Sequence, residues 1–286
     1  MIHKIEKRNI LIFMAISFGL AWPIVVVLDT LWPNNMKMAY LSHCSAMMMP
    51  GAACVVVRKW VSKEGCSDCG FVVGNRLPYL AVILACLALW GFPRLVDVLW
   101  AGGQLRGYDT GLLLLSVAAF FLYLVPAFGE ELGWRGYLLQ KLLPMGTRKA
   151  LLLHGAIWGA WHWPLLFAAA LNGSLAPAEQ VKGLTRYGLT PDWGKVVLVA
   201  AGLAVGMVAM VVVSAFLGVT AGWLRLRFGS LYLVTCWHAY YDYFRDMAAA
   251  WLNPGRLLDS ANAVGVLVIV AVGICLLAWG RFAPDE

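Results

Sequence analysis

Three polar clusters interrupt the long apolar runs of this 286-residue chain, and their residue types suit hydrolysis. The first is Gly129-Glu130-Glu131-Leu132-Gly133-Trp134-Arg135, two adjacent carboxylates with a guanidinium four residues after the second. On a helix, Glu131 and Arg135 are i and i+4 neighbours and form an ion pair. Glu130 projects about 100° away from Glu131 and lacks that partner. The second cluster is Trp158-Gly159-Ala160-Trp161-His162-Trp163-Pro164, in which Trp158 and His162 share a helix face. The third is Cys236-Trp237-His238-Ala239-Tyr240-Tyr241-Asp242, where His238 and Asp242 are again i and i+4, and Arg245 follows three residues on to neutralise the acid.

Glu130, His162, His238 and Asp242 together are two carboxylates and two imidazoles, a set used by two chemistries. A glutamate helped by a histidine activates water as general base, while other donors stabilise the oxyanion. Alternatively, His162, His238 and Glu130 hold a zinc ion with an open water position. Both routes hydrolyse an acyl bond. The chain has no Gly-x-Ser-x-Gly, no Ser-Lys dyad, no His-Glu-x-x-His and no paired intramembrane aspartates, which argues against serine, aspartic and familiar zinc routes. Taken singly, each cluster has a plainer explanation: a solvated helix end, a packing histidine, an intrahelical His-Asp bond. Their coincidence in one chain favours a site. His154 is expected at a membrane interface, and His43 as a packing residue. Cys66-x-x-Cys69 is half of a zinc site with no second pair, so two unremarkable loop thiols are expected there.

The elements that must position these groups are membrane helices. Hydrophobic residues make up 62% of the chain and charged residues 13%, about half the usual share for a soluble domain. The net charge is +7, but no basic run or stripe marks a nucleic-acid footprint, so no nucleic acid is expected. A spanning helix needs about 20 mostly apolar residues. Eight stretches qualify, near 10–29, 39–58, 77–96, 111–131, 149–171, 196–223, 229–247 and 263–280. The sequence therefore predicts an all-α polytopic membrane bundle of about eight helices. It is one domain over 1–286, with its motif core at 111–247, and its first span is retained rather than cleaved. Lys and Arg divide 14 against 8 between the two sets of connections, which places both termini in the cytoplasm. At membrane depth an ionisable group is costly, so each becomes a functional candidate.

In order, Glu130-Glu131-x-x-x-Arg135, Trp158-x-x-x-His162 and His238-x-x-x-Asp242 resemble the three motifs of the CPBP family. This is the CAAX-protease and bacteriocin-processing group of intramembrane proteases, also called the Abi or self-immunity family. Its pattern reads EExxxR, FxxxH and HxxxN, with Asp tolerated at the last position. The resemblance implies a helical bundle with a catalytic cavity reached from the cytosolic side. In it, Glu130 activates water with His162 assisting, and Glu131 and Arg135 hold the motif helix. His238 and residue 242 stabilise the oxyanion. No cofactor is implied, with zinc as the alternative. Trp158 replaces the commoner Phe and keeps an aromatic wall. Asp242 replaces Asn, and an ionised acid repels an oxyanion unless it is neutralised or used to orient His238.

The expected function is that of an intramembrane endopeptidase in a prokaryotic cytoplasmic membrane. Its partners are lipid and a peptide or protein substrate, prenylated or transmembrane. A zinc-dependent protease using the same residues, a non-catalytic bacteriocin-immunity protein and a proton-relaying transporter are the alternatives. Bringing the three clusters together requires either that the fourth span continue through Leu143 as one tilted helix or that water penetrate from the cytosol.

Overall fold

The apolar runs fold as helices in the computed structural model, which describes residues 4–32, 35–100, 104–105, 110–171, 193–253 and 258–282. In chain order these are α1 (Lys4–Leu31), α2 (Met36–Val56), α3 (Leu77–Trp100), α4 (Thr110–Gly133), α5 (Leu139–Leu142), α6 (Thr147–Trp161), α7 (Trp163–Leu171), α8 (Trp193–Phe228), α9 (Leu231–Trp251) and α10 (Leu258–Trp279). The all-α expectation holds. Among the described residues, the one β feature is a two-residue antiparallel bridge between Gln104–Leu105 and Leu252–Asn253.

Four helices among the described residues are long and apolar enough to cross a bilayer: Glu6–Leu31, Lys37–Ser62, Leu77–Trp100 and Val197–Phe228. Their outward faces match this, with Val205 and Val208 of α8 70% and 64% exposed. Such a surface is stable against hydrocarbon and not against water. The chain is an integral membrane protein. The other expected spans depart from a plain apolar helix for reasons tied to the motifs. The fifth is divided at His162, giving α6 and α7 rather than one continuous helix. α9 carries His238, Asp242, Arg245 and Asp246 along its length.

Small residues bring two helix pairs into backbone contact, as is common where helices associate in lipid. A side chain at Gly51 of α2 would meet the Gly129 carbonyl of α4 at 2.6 Å. One at Gly218 of α8 would meet the Gly155 Cα of α6 at 2.7 Å. The first approach fixes the height of α4 immediately before Glu130, and the second fixes α6 just below Trp158.

α4 does continue past Gly133, the first of the two ways for the clusters to meet. It runs through a wider π-type turn, Trp134–Leu138, into α5 and a 3-10 turn at Leu143–Met145. Insertions of this kind are frequent at functional sites. A clasp holds the turn from outside. The buried Arg58 guanidinium donates to Gly136 O of the turn at 3.3 Å and to Asp68 Oδ2 at 2.9 Å in the loop after α2. Arg225 Nη2 donates to the Asp68 carbonyl at 2.6 Å, tying α8 to the same loop. Partial burial opposes the Asp68 charge, but the Arg58 hydrogen bond and charge outweigh it and hold the carboxyl below its ordinary 3.8.

Candidate active site

Pro164 shapes the second motif locally. Proline has no N–H to continue the i→i−4 ladder, and the residues before it leave helical pairing. α6 accordingly ends at Trp161, and His162 forms the turn into α7. The Trp158 carbonyl is contacted by His162 Nδ1 at 2.8 Å. A carbonyl only accepts, so Nδ1 carries the proton and Nε2 presents a lone pair. This ring lines a cavity of about 280 Å³ together with Glu130, Trp158, His238 and Asp242. All four residues expected to do chemistry thus share one wall.

Trp158 is the hub of that wall. Its Nε1–H donates to Glu130 Oε1. Its ring lies 4.2 Å from the Arg135 guanidinium carbon and meets the His162 and His238 rings edge-on at 5.3 and 5.8 Å. The substitution for Phe therefore adds a donor to the general-base candidate as well as keeping the aromatic surface. Glu130 is 1% exposed and faces the cavity, as its angular separation from Glu131 predicts.

Glu131 and Arg135 lie behind the wall, both fully buried, and form the expected i,i+4 ion pair at 2.7 Å. The sequence reading missed the second duty of Glu131. Its Oε1 also accepts from His238 Nδ1 at 2.7 Å. The other ring nitrogen, His238 Nε2, faces Asp242 Oδ2 at 3.3 Å. Two carboxylates flank one imidazole, an arrangement that places a donor proton on each nitrogen. Asp242 Oδ1 in turn contacts Arg245 Nη1 at 2.8 Å, so the neutralising partner expected for the acid is present.

Two histidines depart from expectation. His154 is fully buried, not interfacial, because the Gly155–Gly218 approach draws its turn into the core. His43 lines the cavity and pairs with Asp29 Oδ2 at 3.2 Å, rather than packing without a polar partner. The pair was legible in principle: Asp29 sits just before the first turn and His43 just after it, at similar depth.

Trp134, Tyr137, Leu138, Leu139 and Leu151 are fully buried and lie outside the cavity lining. The exposed side chains in its wall, His43 at 47% and Arg245 at 44%, lie in the halves of α2 and α9 away from that end. The exposed part of the described lining therefore lies in the half of the bundle away from the start of α1.

Among the described residues, no group of three or more His, Cys, Asp and Glu side chains is arranged to hold a metal ion. The zinc set of His162, His238 and Glu130 does not fit, because His238, flanked by Glu131 and Asp242, carries a proton on each nitrogen and offers no lone pair, and Glu130 is bonded to Trp158. In the loop, Cys66 is exposed and Cys69 buried. Hydrogen bonding with Cys54 and burial push the Cys69 thiol up from its ordinary range.

The site is thus a glutamate, two histidines and an aromatic hub lining one cavity of a membrane-helix bundle. Residues 112–244 match the family described as type II CAAX prenyl endopeptidase, Rce1-like. It is also similar to CAAX prenyl protease 2 of Methanococcus maripaludis, at 46% identity over 52 residues. That stretch is 18% of this chain and covers 19% of the relative's length.

Proposed function

We propose that the protein is an intramembrane endopeptidase that hydrolyses a peptide bond of a membrane-associated peptide or protein, prenylated or transmembrane. The observation that carries this reading is the buried Glu130 carboxylate on the cavity wall, oriented by Trp158 and sharing that cavity with His162. In this reading Glu130 takes a proton from water as the water attacks the scissile carbonyl, and His162 Nε2 shares the proton transfer. The proton then passes to the departing amine. The His238 Nε2–H, aimed into the cavity and only loosely held by Asp242, steadies the oxyanion. Glu131 and Arg135 keep His238 and the motif helix in register, and no metal takes part.

The protein is a multi-pass protein of a prokaryotic cytoplasmic membrane, with both termini cytoplasmic, as the Lys and Arg distribution supports. The cavity then opens toward the opposite face, and substrate enters from that side.

Cleavage of an internally quenched, prenylated CAAX peptide by purified protein tests the reading. Wild type is expected to cleave with or without chelator, and Glu130→Gln to lose about 10³-fold or more in kcat. Absence of cleavage by wild type overturns the reading. Activity lost in chelator and restored by zinc overturns its metal-free form.

A further inference from the structure

Asp242 poses a chemical difficulty for the site. It lines the cavity one helical turn beyond His238, where an oxyanion forms under the proposed function, and an ionised acid there opposes the developing charge. The structure answers this with one residue. Arg245 Nη1 lies 2.8 Å from Asp242 Oδ1, shorter than the 3.3 Å between Asp242 Oδ2 and His238 Nε2. The guanidinium is itself held in place: its Nε donates to Asp246 Oδ1 at 2.8 Å, and Asp246 Oδ2 accepts from Tyr123 Oη at 3.1 Å. Arg245 is the only Arg or Lys in the described cavity wall.

We infer that Arg245 is a positioning residue for hydrolysis, forming with Asp242 a neutral unit that leaves the His238 Nε2–H available to the oxyanion. The inference rests on the peptidase reading above. Without the guanidinium, Asp242 keeps only the His238 ring as a partner on the cavity wall. It then tightens on the His238 Nε2–H and repels the oxyanion. Substrate binding by the apolar part of the cavity is unaffected, so the damage falls on kcat. Once position 242 is neutral, Arg245 has nothing to compensate and its loss is of little consequence.

The test is a double-mutant cycle on full-length purified protein with the quenched prenylated CAAX peptide, reading kcat and KM separately. Arg245→Met is expected to lower kcat about 10²-fold in the wild-type background, with KM within about threefold. In the Asp242→Asn background the same substitution is expected to cost less than about threefold. Asp242→Asn alone changes the rate but remains measurably active, because a neutral amide stands in for the neutral pair. Arg245→Lys, which retains the charge, recovers most of the rate, whereas Arg245→Gln does not. This Lys/Gln contrast carries the test if the methionine variant fails to fold. Equal cost of Arg245→Met in both backgrounds, an inactive Asp242→Asn protein, or equal rates for the Lys and Gln variants overturns the role of Arg245 while leaving the peptidase reading intact. A wild-type protein that cleaves nothing overturns that reading, and this role falls with it.

Discussion

At the scale of single residues, the site is a set of carboxylates assigned different duties by what each one touches. Glu130 faces the cavity with one donor from Trp158, whereas Glu131, its neighbour in sequence, is buried between Arg135 and His238. Breaking a buried charge pair by removing one member costs about 3–5 kcal/mol. Glu131→Gln and Arg135→Met are therefore expected to lower stability by about that amount, read by thermal unfolding of the solubilised protein, and to abolish activity secondarily. Glu130→Gln should leave the melting temperature close to wild type while eliminating turnover. Trp158→Phe restores the commoner aromatic and removes the Nε1–H donor. It is expected to preserve the fold and lower kcat by less than about tenfold, through looser orientation of Glu130. Equal stability losses for the Glu130 and Glu131 variants would contradict the division of roles.

At the scale of elements, the site depends on interruptions of ordinary helices: the π-type turn after Gly133, the break at His162, and the close approaches at Gly51 and Gly155. The clasp of Arg58 and Asp68 steadies the first of these. Asp68 is held below its ordinary value in the folded protein, so its contribution to stability is present above about pH 3.8 and is lost as pH falls through the folded value. Asp68→Asn is thus expected to lower stability by about 1 kcal/mol at pH 7, because the pair is partly exposed, with the difference from wild type vanishing in acid. Melting curves across pH measure this directly. The helices and the i,i+4 pairs were legible in the sequence because local periodicity determines them. The continuation of α4 was legible as one of two alternatives, though not its π-type turn. The contacts of Glu131 with His238 and of Asp29 with His43 join separate helices, which no spacing along the chain encodes. His154 was misplaced for the same reason, since its depth depends on Gly218 of another helix. Pro164 did signal the break at His162, but hydropathy alone read straight through it.

At the scale of the whole molecule, the scarcity of charge makes the site conspicuous, and the sidedness of charge sets its access. With 14 of 22 Lys and Arg residues at the end bearing the termini, the proposed orientation puts that end in the cytoplasm and the exposed lining residues His43 and Arg245 toward the other side. Cys66 lies exposed at the termini end, so in a Cys275→Ser background a membrane-impermeant maleimide is expected to label it only after cells are opened. Labelling of intact cells would reverse the orientation and turn the mouth toward the cytosol. The central claim, that Glu130 activates a water molecule for peptide hydrolysis, is tested most directly by a single turnover in 18O-labelled water followed by mass spectrometry. The account predicts one 18O atom in the new carboxylate of the product after the first turnover, none in Glu130, and no product from Glu130→Gln. An unlabelled first product with 18O appearing in Glu130, or undiminished cleavage by Glu130→Gln, would contradict it.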